Sequence, residues 1–362
     1  MPLDTIYLTR HGHRLNWTID FKTGRYHAQF PTPTGNPADP TLTSHGVRQS
    51  HELAAHLASP AFGPKPCRVY CSPFYRCLQT IRPAVEALKK QKKEVAGSDG
   101  DDGVDLDVRV ENGLGEWFGA TTFFDHPSPA SAHTLRAHFP TILHPDPERH
   151  YTPLLIPSPR GETIAQLHDR VATTLAGIIA DVDAEIDALE AALPRDSPER
   201  FSSKAILICS HAAPLIAMGR VLTGHMPDDS GEEDFKVYTA GLSTFVRRRR
   251  SGSGPGSRSG SSTTCISDRS PTAADSGRLG LLAPGTKVLR PGTTVPDWKG
   301  GKGVGGGWDC VVNGDCSFLS GGAERGWHFN GEESFDTGPM APPSATPTSS
   351  EESSTAGGST KL

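Results

Sequence analysis

The chain has 362 residues, enough for one large or two ordinary domains, yet only 35% are hydrophobic, while 39 are Gly and 31 Pro. That balance predicts a globular part diluted by unstructured segments. A formal net charge of −5 gives no general drive toward nucleic acid or an anionic membrane, and no direct nucleic-acid partner is expected. No run approaches the roughly 18 apolar residues of a membrane span, and no basic-then-apolar leader opens the chain, so a cytoplasmic or nuclear protein is expected. The seven cysteines (67, 71, 77, 209, 265, 310, 316) match no zinc spacing and are expected as reduced, mostly buried thiols.

In chain order, the first element is a short apolar strand, Thr5 to Thr9, running into Arg10-His11-Gly12-His13-Arg14. A helix follows over 43–58, with Val47, Leu53, Ala54 and Leu57 on one face. A second strand, 68–71, leads into Ser72-Pro73-Phe74-Tyr75-Arg76 and the helical "CLQTIRPAVEAL". A Gly/Asp-rich loop, 92–105, precedes "VRVENGLGEWFG", a short strand followed by Glu111 and Glu116 flanking two glycines. A long helical pattern covers 163–193.

A third strand, 205–209, ends in Ser210-His211 and the helical "APLIAMGRVLTG". Ser72-Pro73 and Ser210 read as cap-region residues, with Pro73 and Pro214 suited to first helical turns. Further strands are predicted at 241–246 and 308–319. Residues 1–246 form the main part of one domain, and 308–335 return to it. Residues 247–307, opening "RRRRSGSGPGSRSGSS", are expected as a disordered insert, and 336–362 as a disordered tail. Arg247 to Arg250 is expected to be a solvated charge run opening that insert.

Strands alternating with helices argue for an α/β layer around a largely parallel sheet, in which ligands bind beyond the carboxyl ends of the strands. Three strand ends deliver a cation or histidine to that place: Arg10, His11 and Arg14, then Arg76, then His211. This is an anion pocket holding two histidines, with no acidic metal-ligand cluster. Phosphate-ester chemistry asks for arginines on the non-bridging oxygens, a neutral imidazole as nucleophile, and a carboxylic acid to protonate the leaving alkoxide.

"LTRHGHR", "SPFYRCLQT", "GLGEWFG", "PRGETIAQLHDRV" and "CSHAAPLIAMGRVL", in this order, resemble the histidine phosphatase (phosphoglycerate-mutase-like) superfamily. The whole-chain pattern, with "NGDCSFLSGGAERGWHF", resembles a fungal branch that includes the phosphatase-like small subunit of transcription factor IIIC and its cytoplasmic relatives. The resemblance implies a three-layer α/β/α fold with a mixed, mostly parallel six-stranded sheet. It implies a phosphatase that acts on phosphate monoesters without metal or cofactor. His11 would become phosphohistidine. Arg10 and Arg76 would clamp the phosphoryl oxygens, with Arg14 as an extra phosphate contact. His211 would brace the same group as a charged imidazole.

Glu116 would be the proton donor, with Glu111 as the fallback. His13 receives no role. Trp17, Tyr26, Phe30, Trp117, Phe118, Phe123 and Phe124 are either a substrate wall or packing. The substrate class stays open among small phosphorylated metabolites, phosphopeptides and nucleotides. The alternative from another class is a non-catalytic or weakly catalytic scaffold subunit in a complex with transcription-factor partners.

Overall fold

A computed structural model describes residues 2–96, 103–194, 196–249 and 281–330. The chain runs β1 (Thr5–Arg10), a hairpin of β2 (Trp17–Asp20) and β3 (Arg25–Ala28), α1 (Ser44–Ala58), β4 (Pro66–Cys71), α2 (Tyr75–Ala96) and β5 (Arg109–Val110). Then come α3 (Ala132–His138), α4 (Pro147–His150), β6 (Leu155–Ile156), α5 (Ile164–Ala192), β7 (Ala205–Ser210), α6 (Ala212–Thr223), β8 (Leu242–Arg247), β9 (Lys287–Val288) and β10 (Trp308–Asp315).

Six strands make one sheet in the order β10-β8-β1-β7-β4-β5. Pairing is parallel from β1 through β7 and β4 to β5, and antiparallel where β8 meets β1 and β10 meets β8. Alternate strand residues feed two cores. Ile6, Leu8, Tyr70, Ile206 and Ile208 pack with α5 and α6. Tyr7, Val69, Cys71, Leu207 and Cys209 pack with α1 and α2. Burial on both faces explains why these strands read as near-continuous apolar runs. The result is the three-layer α/β/α fold with a mixed, mostly parallel sheet.

Local chemistry sets the helix starts. Thr43 accepts the amide of Gly46 at 3.1 Å, and Thr163 with Gln166 closes a reciprocal capping box on α5. α6 ends at Gly224, whose φ of 78° is the left-handed cap that Gly tolerates best. Ser72 and Ser210, expected as cap-region residues, turn their hydroxyls elsewhere: Ser210 donates to Leu114 O, and Ser72 meets His211.

The β2–β3 hairpin was not legible in the sequence. A larger departure concerns the insert. Residues 250–280 and the tail lie outside the described residues, but 281–307 pack on the domain. Trp298 is 1% exposed and stacks on His168, and β9 pairs with β6. A handful of large apolar anchors fixes a segment whose average composition is that of a linker. Likewise Arg247 and Arg248 are ion-paired, with Asp183 and Asp309, and are not a solvated run. The described cysteines are free thiols, buried except for the half-buried Cys310; Cys265 lies outside the described residues. Among the described residues no helix is long and apolar enough to cross a membrane.

Candidate active site

The carboxyl ends of β1, β7 and β4 and the loop after β5 converge. The first of them carries His11, 2% exposed, whose backbone amide donates to Ser210 O at 3.0 Å across the β1–β7 pair. Its Nδ1 lies 2.9 Å from Gly12 O. A carbonyl only accepts, so Nδ1 carries the proton and Nε2 presents a lone pair. Gly12 is required here, because a Cβ would come within 2.9 Å of Gly46 O at the start of α1. The Gly12 amide donates to Thr80 Oγ1 on α2 at 3.0 Å, which ties the loop to the helix carrying Arg76. Burial, then Arg76, His211, Arg10 and Arg14, push the His11 pKa well below its ordinary value. The ring is therefore neutral near pH 7.

Arg76 is fully buried. Its Nη1 donates to Ala38 O at 2.9 Å and to Asp39 Oδ1 at 3.1 Å, and its Nη2 to Glu116 Oε2 at 3.0 Å. Arg10 Nη1 donates to the carbonyls of Val237 (2.8 Å) and Arg325 (2.5 Å). Both guanidiniums keep a buried Nε without a partner. Buried donors are normally satisfied, so these two are the groups an anion would complete. Arg14 donates to Leu15 O, lies over the Trp17 ring, and forms no ion pair among the described residues. Burial first, then neighbouring charges, bring both Arg10 and Arg14 down to about 10.

His211 stands with its ring centroid 5.2 Å from that of His11. Its Nε2 is 2.7 Å from Ser72 Oγ, and its Nδ1 is 3.2 Å from Glu116 Oε2. Burial alone would lower its pKa, and Arg76 at 3.1 Å also opposes its charge. The Cys77 thiol and the Glu116 carboxylate outweigh them and raise it. Glu116 is the converse case: burial would raise its carboxyl, but His211 and Arg76 hold it well below its ordinary range.

The two carboxylates left open by the sequence are separated by the structure. Glu116 joins the cluster. Glu111 is fully buried, accepting from Gly113 N (2.8 Å), Tyr151 Oη (2.7 Å) and Leu154 N (2.8 Å), and burial raises its pKa. It fastens the 151–154 segment to the sheet edge. The motif "PRGETIAQLHDRV" acts at one remove: Glu162 grips Arg170 on α5, whose Nη1 holds the carbonyls of Gly113 and Gly115, just before Glu116. His13 sits at the rim, bonded to Thr43 Oγ1 at 2.9 Å and edge-on to His45. The aromatics Trp17, Tyr26 and Phe118 pack on one another near the site, whereas Phe30 and Phe123 are exposed.

Sequence reasoning missed Asp39, Thr80 and Arg325. Asp39 lies in a Pro-rich stretch with no periodicity. Arg325 comes from the C-terminal extension in a left-handed conformation (φ 50°), uncommon for a non-Gly residue, and its charge acts on Arg10, His13 and Arg14. His11, Glu116 and His211 also bring ligand-type atoms within 4.8 Å of one another. Three guanidiniums beside them oppose a divalent cation at that spot.

A basic pocket holding two histidines whose pKa values are pushed in opposite directions, and a carboxylate, set on this sheet, defines a class, and the sequence agrees with it. Residues 6–253 match the histidine phosphatase superfamily (branch 1), and the chain belongs to that family. It is 30% identical over 226 residues to the transcription factor tau 55 kDa subunit of Saccharomyces cerevisiae, covering 62% of this chain and 42% of that protein. It is 30% identical over 130 residues to the ecdysteroid-phosphate phosphatase of Drosophila melanogaster, covering 31% of this chain and 15% of the relative. The chain thus spans less than half the length of these curated relatives.

Among solved structures it is similar to the ecdysone phosphate phosphatase of Bombix mori in complex with tungstate (17% identity, TM-score 0.44, 71% of this chain and 97% of that one). It is also similar to phosphoglycerate mutase from Bacillus anthracis (15% identity, TM-score 0.36, 68% and 89%).

Proposed function

We propose that the protein is a metal-independent phosphatase that hydrolyses phosphate monoesters through a phosphohistidine on His11. The observation that carries this reading is the pair of buried, unpartnered Nε groups of Arg10 and Arg76 beside a neutral imidazole whose Nε2 is free to attack. In this reading Arg10, Arg14 and Arg76 hold the phosphoryl oxygens. His211, charged, offsets the charge that builds on them in the transition state.

His11 Nε2 bonds to phosphorus as the ester P–O bond breaks, its electron pair leaving with the alcohol oxygen. Glu116 supplies the proton that oxygen needs. Glu116 is ionised in the empty site because cations surround it. An entering phosphate dianion offsets those cations and lets the carboxyl take up a proton. In the second half-reaction a water attacks phosphorus, Glu116 accepts its proton, and the N–P bond breaks to release phosphate and neutral His11. The guanidiniums and imidazolium do the electrostatic work that a metal does elsewhere.

The test is hydrolysis of p-nitrophenyl phosphate in EDTA by the wild type and by His11→Ala. Turnover by the wild type and a loss of about a thousandfold or more in the variant are expected. An inactive wild type, or equal rates, overturns the reading.

A second reading is favoured by the similarity to a transcription factor subunit: a role as a structural member of such a complex in the nucleus. The His11→Ala protein separates the two, since a scaffold keeps its partners in pull-down when the nucleophile is gone.

A further inference from the structure

A cavity of about 660 Å³ opens beside Glu116, at the sheet edge formed by β5. Glu116 lines it together with Phe74, Gly115 and Phe118. Phe74 belongs to the site itself, since its ring lies edge-on to His211 and beneath Arg76. Val108, Val110, Tyr151 and a series of prolines from the 127–159 loops make up most of the remaining lining, with polar side chains such as Asn112, Ser131 and Thr152 among them. Ile156 and Leu289, 37% and 41% exposed, line it from the β6–β9 ladder, where Ile156 pairs with Lys287 and Leu289 N donates to Leu154 O. The charged Lys287 and Glu148, both exposed, line it too. The segment after the insert therefore contributes to a chamber, more apolar than polar, that Glu116 also lines.

We infer that this chamber receives the alcohol part of the substrate, and that the substrate is a phosphate monoester of an extended apolar alcohol. The inference rests on the phosphatase reading above. An acid that protonates the leaving oxygen must lie beside it, so the group attached to that oxygen has to extend into space next to Glu116, and this chamber is the space that Glu116 lines. The volume suits a molecule of drug-like size. Sugar hydroxyls seated against Phe74, Phe118 and Val110 would lose water without gaining partners, whereas an alkyl or fused-ring body gains by leaving water. Ile156 and Leu289, aliphatic side chains of the lining that stay partly exposed where solvent favours polar ones, suit contact with such a body.

The test uses n-alkyl phosphates (ethyl, hexyl, octyl) with phosphate release as readout, and the matching alkylphosphonates with calorimetry as a binding readout that needs no turnover. For the wild type, kcat/KM and phosphonate affinity should both rise tenfold or more from ethyl to octyl. In Ile156→Asp and Leu289→Asp, changes at exposed positions that leave the core intact, the octyl-to-ethyl ratio should collapse toward one. A flat series in both readouts, or glucose 6-phosphate outperforming octyl phosphate, overturns the inference even if p-nitrophenyl phosphate is turned over. Failure of every ester together with a length-dependent phosphonate affinity overturns the phosphatase reading and leaves the chamber's preference standing.

Discussion

Glu111 and Glu116 stand five residues apart, and their partners assign them different work. Three donors and full burial make Glu111 a fastening. Glu111→Gln is expected to lower stability by about 1–3 kcal/mol, because one buried donor then meets another, while kcat stays near wild type. Glu116→Gln should do the reverse. Its kcat for ethyl phosphate should fall by about 10²–10⁴, and far less for p-nitrophenyl phosphate, whose phenolate leaves without a proton. Equal losses on both substrates would remove Glu116 from the role of acid. Arg76→Ala leaves Asp39 buried with its charge uncompensated, and chemical denaturation should show a loss of about 3–5 kcal/mol. Arg76→Lys cannot reach Asp39 and Glu116 at once, so it should recover stability only in part.

At the scale of elements, the segment 281–307 belongs to the domain core. Trp298→Ala empties a site between α5 and the C-terminal residues, and urea unfolding should register about 3–5 kcal/mol. A loss within experimental error would mean that the segment is not anchored there. This segment also marks where sequence reading fails. The strands read at 5–9, 68–71 and 205–209 were legible because burial on both faces writes them as apolar runs, and the candidate residues follow within a few positions: Arg10 and His11 directly after the first, Arg76 at the start of α2 after the second, His211 two residues after the third. Arg10, His11, Arg76 and His211 were therefore found together. Asp39 and Arg325 were not, because they reach the site through loops whose paths depend on contacts far along the chain. Trp298 was hidden by the glycines around it: composition averages over a window, while anchoring needs only a few large side chains.

For the molecule as a whole, Arg10, Arg14, Arg76 and the two histidines share one cluster with Glu116 and Asp39, and these groups set its pH behaviour. In the proposed mechanism His11 has to be unprotonated to attack, so kcat/KM should fall as pH drops through its depressed pKa. The same mechanism needs His211 charged, so kcat/KM should fall as pH rises through its raised pKa. The rate plateau should therefore extend to both sides of pH 6.5, and a profile with a single limb centred there would contradict these assignments. The phosphohistidine is tested by mixing enzyme and substrate, stopping the reaction in alkali within the first turnover, and locating the phosphoryl group by mass spectrometry. An alkali-stable, acid-labile phosphate is expected on His11 and absent from His11→Ala. Turnover by the wild type with no phosphate on His11, or with phosphate on another residue, would contradict the phosphohistidine reading.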